Sequence, residues 1–191
     1  MVEHSSPKWL VLDGYEDEPA AFGVPPYIGF HIRYLCGVLE QHNIDYRYMT
    51  IDQWREFVRQ KGESGIDNLM RSIDGFACIA GAVVPGKYLR GTPISVNEMS
   101  NIVHSLPSGI PAILGGWAIR GWRQQGWNPL RQNLFLAVQD TDATLDNYLN
   151  SGQWKHCRRT PEQWTNWAHF GANSKAVKFH PDLGNAEIPG P

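Results

Sequence analysis

The chain has 191 residues, enough for one well-packed domain with an appendage, and 42% of them are hydrophobic against 19% charged, the balance of an ordinary globular protein. A net charge of -2, with no run of Lys and Arg, gives no electrostatic footprint for nucleic acid or an anionic lipid surface. No apolar run approaches the roughly 20 residues of a membrane helix, and MVEHSSPKW has none of the regions of a signal peptide, so a cytoplasmic location is expected.

WLVLDG (9–14) is a short apolar run closed by glycine, the pattern of a buried parallel strand. Segment 27–42 places Ile28, Ile32, Leu35, Val38 and Leu39 on one helical face. YRYMTI (46–51) reads as a second strand, after which Asp52 is expected to cap a helix beginning QWREFVRQ. FACIAGAVV (76–84) is a third strand. Ser95 caps a helix over VNEMSNIVHSL, with Glu98 completing a capping box. IPAILGG (110–116) and NLFLAVQ (133–139) are the fourth and fifth strands, and a short helix runs from Asp140 or Thr141 to about Leu149. Strands alternating with helices, apolar on both faces, predict an α/β fold: a doubly wound, mainly parallel five-stranded sheet of Rossmann-like or flavodoxin-like type over residues 1–150. In such sheets ligands bind beyond the carboxyl ends of the strands, which directs attention to loops 13–26, 83–93 and 115–129. From Ser151 the texture changes to a Trp-rich, partly basic tail or linker, irregular apart from a short helix near 161–169 that Thr160 caps and Pro161 opens.

GAVVPGKY (81–88) falls one residue short of a phosphate-binding P-loop. Tyr88 stands where the magnesium-binding hydroxyl belongs, Pro85 removes an N–H donor, and Val83 and Val84 resist the positive φ of a curled loop. After the first strand, Glu16, Asp17 and Glu18 occupy the place where a dinucleotide fold presents glycines and a helix N-terminus to pyrophosphate. NTP, NAD and FAD binding are therefore not expected. Cys36, Cys78 and Cys157 show no metal spacing, and the first and second fall in apolar segments as buried thiols. The seven histidines are scattered, and no nucleophile–base or metal-binding pattern is visible, so neither a catalytic nor a metal residue is assigned.

"VLDGYEDEPAAFGVPPYIGFHIRYL" (11–35), "IAGAVVPGKYLRGTPIS" (79–95) and "PAILGG" (111–116) together resemble the N-terminal region of a family of radical S-adenosylmethionine proteins, and "AVKFHPD" (176–182) resembles the connection just before that family's catalytic barrel. There a Rossmann-like, cobalamin-binding-type domain precedes an iron–sulfur barrel. The resemblance spans essentially the whole chain and implies a cobalamin-binding domain or subunit of a radical S-adenosylmethionine enzyme, working in methyl transfer or related radical chemistry. It implies cofactor contacts from Asp13, Gly14 and Tyr15 after the first strand and from Gly81, Gly86, Lys87, Gly91 and Thr92 after the third. Gly115, Gly116 and Trp117 after the fourth complete the set.

Two departures qualify it. The cysteine triplet that holds the iron–sulfur cluster is missing, so the cluster and S-adenosylmethionine are expected only in a separate catalytic domain or partner subunit; the chain reads as an excised domain, a split subunit or a relic. The D-x-H-x-x-G motif that offers a cobalt-ligating histidine is absent, and His31 reads as a partly buried helix residue. Some assignments stay open. Gly115–Gly116 is either a backbone surface for the nucleotide tail of cobalamin or a tight strand-to-loop turn, and Lys87 either meets the nucleotide phosphate or the corrin amides or is solvated. Gly-Trp recurs three times at a spacing of five in GGWAIRGWRQQGW (115–127), either as a stacking wall for a planar macrocycle or, as aromatics more often do, as packing on the sheet; Arg120 and Arg123 would accompany it as anion contacts. The alternative to a cofactor domain is a protein-interaction domain that kept the fold and lost the ligand.

Overall fold

The computed structural model describes residues 8–14, 30–81, 93–172 and 174. Five strands, β1 (Lys8–Asp13), β2 (Asp45–Thr50), β3 (Gly75–Ile79), β4 (Ala112–Gly115) and β5 (Leu134–Ala137), form one sheet in the order β2-β1-β3-β4-β5, every neighbouring pair parallel. Apolar residues at every strand position demand cover on both faces. Helices α1 (Phe30–Gln41), α5 (Thr141–Ser151) and α6 (Pro161–Ala172) cover one face, over Trp9, Val11, Tyr48, Ala77, Ile79 and Ile113. Helices α2 (Ile51–Arg71), α3 (Val96–Ser105) and α4 (Trp117–Gln124) cover the other, over Leu10, Leu12, Phe76, Cys78 and Leu114. This is the doubly wound α/β architecture expected.

Several boundaries differ from the expectation. β2 ends at Thr50, not Ile51, and Thr50 rather than Asp52 caps the following helix: its side chain accepts from the Gln53 amide at 3.2 Å while Gln53 Oε1 accepts from the Thr50 amide at 2.9 Å. Asp52 lies in the first turn, where its charge meets the positive end of the helix. α2 breaks at Gly62 (φ 60°, ψ -164°), so it is two helices joined at a kink. β3 ends at Ile79, short of the expected Val84; residues 82–84 lie outside the described set. Segment 115–129 is not simply a loop, because α4 begins directly after Gly116. The capping box of Ser95 and Glu98 forms as expected, and Thr160 and Gln163 make another at the start of α6.

The described part of the Trp-rich segment joins the core on the α1 face of the sheet. α6 runs antiparallel to α1 at very short range, with the backbone of Trp167 against Gly37 and Gly171 against the backbone of Arg33. Trp167 is buried, its indole N–H donating to Gln41 Oε1 at 2.9 Å, and Trp164 donates to the Tyr34 hydroxyl. Ahead of α6, Trp154 stacks on Tyr148 (3.9 Å between ring centroids) and Phe135.

Candidate functional site

The connection after β1 crosses to α1 on one face and that after β3 crosses to α3 on the other, so the chain diverges where these adjacent strands end. That is the switch point of the 2-1-3-4-5 order, the general place for a ligand in an open parallel sheet. The carboxyl edge brings together Asp13 and Gly14 from β1, Gly81 beyond β3, and Gly115, Gly116 and Trp117 from the β4–α4 junction. The other residues assigned from sequence, Tyr15, Gly86, Lys87, Gly91 and Thr92, lie outside the described residues.

Asp13 continues the alternation of Trp9 and Val11 and so faces α1. It is buried at 3% exposure, and one oxygen accepts a hydrogen bond from the Tyr48 hydroxyl at 2.9 Å. A buried carboxylate needs such donors because charge in a low-dielectric interior is otherwise costly. Its negative charge adds to burial in pushing up the thiols of Cys36 and Cys78, which remain protonated and unreactive. Gly14 extends the edge by donating its amide to Ile79 O at 2.9 Å and accepting from the Ile94 amide at 3.0 Å. Just before Ile94, the Pro93 carbonyl accepts from Arg55, whose guanidinium also grips Glu98 at 2.7 Å; chiefly this contact from Arg55 holds the Glu98 pKa down to about 2.

The β4 end is tightly closed. Gly116 has φ +95°, a conformation that L side chains rarely adopt, and a Cβ there would run into the Ala80 carbonyl. The close approach is fixed by hydrogen bonds from Ala80 N to Gly115 O (2.8 Å) and from Ala118 N to Ala80 O (3.2 Å). A Cβ on Gly115 would strike the side chain of Thr141, the first residue of α5. The pair is thus a tight strand-to-helix turn in which each glycine makes room for protein. Of the three Gly-Trp tryptophans, Trp122 and Trp127 pack edge-to-face (centroids 5.4 Å apart) against the α3–α4 side, Trp127 donating to Ser100 Oγ at 2.9 Å. Trp117 is 48% exposed on the edge, with the Arg120 guanidinium 5.9 Å from its ring centre.

Beside β5, Arg159 lies over the ring of Tyr34 (4.7 Å) and pairs with Asp142 at 2.9 Å and Asp140 at 3.7 Å, the Asp142 contact being an ion pair without hydrogen-bond alignment. Burial raises the pKa of Asp142, opposed by Arg159. His31, half-buried on α1 as expected, has its pKa lowered by burial and then by Arg159. Among the described residues no group of three His, Cys, Asp or Glu could hold a metal ion, and no helix is long and apolar enough to cross a membrane.

Sequence inspection missed Tyr48 and Thr141. Tyr48 carried a signal, since the alternation of YRY places both tyrosines on one face of β2. Thr141 carried none: its part depends on α5 starting beside β4, a tertiary fact.

No protein-family model matches the chain. An uncharacterized protein of Methanocaldococcus jannaschii is 33% identical over 183 residues, which is 91% of this chain and 32% of that protein. Another, from Archaeoglobus fulgidus, is 39% identical over 92 residues, 48% of this chain and 16% of that protein. The chain therefore spans no more than about a third of the length of the curated relatives it matches. Among solved structures, a radical S-adenosylmethionine methyltransferase, TsrM of Kitasatospora setae, solved with tryptophan substrate and a S-adenosylmethionine analogue, is a partial likeness. Its TM-score is 0.37 at 15% identity, over 58% of this chain and 19% of that one.

Proposed function

We propose that this chain is a cobalamin-binding-type domain serving a radical S-adenosylmethionine enzyme, with its ligand at the carboxyl edge where β1 and β3 part. The supporting observation is that the phrases carrying the resemblance, 11–35 and 79–95, leave the sheet at this one switch point. The chain is not catalytic alone: the iron–sulfur cluster and S-adenosylmethionine belong to a separate catalytic domain or subunit, in keeping with the greater length of the relatives. Cobalamin, when bound, supplies a methyl-carrying cobalt centre. The chain's own contribution is binding and orientation. Asp13, buried and held by Tyr48, fixes the end of β1 from within, and Gly14 keeps that edge flush against Ile79 and Ile94. The fit to cobalamin is incomplete among the described residues: Asp13 is buried, and the spaces beside Gly14, Gly115 and Gly116 are filled by protein. Purification in the presence of hydroxocobalamin, followed by desalting and a visible spectrum, tests the proposal. A coloured protein with near-stoichiometric corrinoid is expected, and a colourless one under saturating ligand overturns it.

A second reading, an interaction domain that retains the fold without a cofactor, is favoured by the same filled glycines together with the exposed aromatics Trp164 (53%) and Phe170 (41%) on α6. It predicts no corrinoid uptake and a recoverable partner that contains a cysteine triplet.

A further inference from the structure

We propose that the outer edge of β5 is an interaction surface for a second copy of this chain, the two β5 strands pairing antiparallel across a twofold axis and joining two sheets into one. β5 ends the sheet, and among the described residues no strand lies beyond it. The ladder to β4 decides which backbone groups are left over. The Ala112 amide donates to the Asn133 carbonyl at 2.9 Å, and Ala112 stands opposite Leu134. In a parallel pair of that register the backbone of Phe135 faces β4, while the amide and carbonyl of both Leu134 and Leu136 face outward. Such a row of unpaired groups is a template for another strand.

The composition of the edge says what fits it. Proteins discourage edge pairing with charge or proline, and the opposite edge of this sheet does so: β2 carries Asp45 and an exposed Arg47. β5 reads LFLA and has neither. Leu134 and Leu136 are half-buried on one face, and Phe135 lies under Trp154 on the other, 5.6 Å between ring centroids. Between Arg131 and Asp140 the sequence holds no charged residue. These two charges are opposite in sign, partly exposed and at opposite ends of the strand. An antiparallel copy therefore sets unlike charges side by side, whereas a parallel copy sets like beside like. Centred on Phe135, the pairing puts Leu134 of one copy opposite Leu136 of the other, each exchanging both its backbone hydrogen bonds. It also carries Leu130, 92% exposed ahead of the strand, toward the carboxyl end of the other β5, where half-buried Val138 is apolar cover. A twofold contact of this kind closes at two copies.

The test is the mass of the protein in solution, by analytical ultracentrifugation at about 100 μM, for wild type and Leu136→Pro. Proline removes the one amide that faces outward and leaves the bonds to β4, so the fold is kept and the pairing lost. Wild type is expected at twice the mass of the chain. Leu136→Pro, melting close to wild type, is expected to associate about tenfold more weakly or not at all. Hydrogen exchange by NMR reads the same edge in wild type, and so reports if the proline variant fails to fold. In the dimer the Leu134 and Leu136 amides are expected to exchange about tenfold or more slowly than unstructured amides, whereas amides facing solvent exchange freely. A wild type of single mass at that concentration overturns the proposal, even with these two amides protected, since the chain's own residues would then cover the edge. A dimer that persists in folded Leu136→Pro, or one whose Leu134 and Leu136 amides exchange freely, overturns it as well, because another surface would hold the copies together. Assemblies that grow beyond two copies overturn the twofold arrangement.

Discussion

At the scale of single residues, the best-defined electrostatic contact is that of Arg55 with Glu98. The two side chains are 26% and 31% exposed, and Glu98 also accepts from the amide and hydroxyl of Ser95, both at 2.8 Å. Hydrogen bonding from Arg55 is the main cause that brings Glu98 from 4.5 to about 2. A depressed carboxylate stabilises the folded state fully above its unfolded value and loses that contribution as pH falls from about 4.5 to about 2. Allowing for solvent screening, Glu98→Gln is expected to cost about 1–2 kcal/mol at pH 7. Denaturant melts of variant and wild type should converge as the pH approaches 2. Gly116 presents a steric problem instead. Gly116→Val must adopt φ near +95° and also push its Cβ into the Ala80 carbonyl. A loss of about 3–5 kcal/mol, or failure to fold, is expected in a thermal melt, because backbone strain and overpacking both contribute. A variant that melts like wild type would show that the turn relaxes freely.

At the scale of elements, the crossing of α1 and α6 depends on Gly37 and Gly171. A Cβ on Gly37 would lie 2.9 Å from the carbonyl carbon of Trp167. Gly37→Val is therefore expected to release α6 while the sheet persists, a local opening rather than global unfolding. The readout is hydrogen exchange: α6 amides lose protection, those of β1 and β3 keep theirs, and Trp167 emission shifts to the red. Elements of this kind also show what the sequence could disclose. The apolar runs around Leu10, Ala77 and Ile113 announced strands because a doubly covered strand has no polar face, and Ser95 with Glu98 announced a helix start because capping is local chemistry. The cap at Thr50 went unread because Asp52, two residues later, is an equally good capping type. α4 was obscured by its own composition, with glycines at 115, 116 and 121 resembling a loop. Gly37 looked like a weakness in a helix, since its reason lies in a neighbour that arrives 130 residues later (at Trp167). The switch point could be anticipated from strand–helix alternation, but the filling of Gly115 by Thr141 could not.

At the scale of the whole molecule, the parallel sheet separates two edges with different work. The carboxyl edge carries Asp13, Gly14, Trp117 and the start of α5. At the amino edge the described chain turns from helix to strand through residues 42–44, 72–74, 106–111 and 125–133. Leu106 is buried in this stretch and Arg131 donates to the Leu106 carbonyl at 2.8 Å, so the edge is anchored from within, while Ser108 and Gly109 are exposed. The molecule thus has a natural underside for attachment to a solid support. With Cys36 and Cys78 buried, a Ser108→Cys handle in a Cys157→Ser background would place one reactive thiol among the described residues. Protein coupled through it would stand on the support with the carboxyl edge and its exposed Trp117 turned toward the flowing solution, so a sensor chip made this way would present every copy in the same orientation.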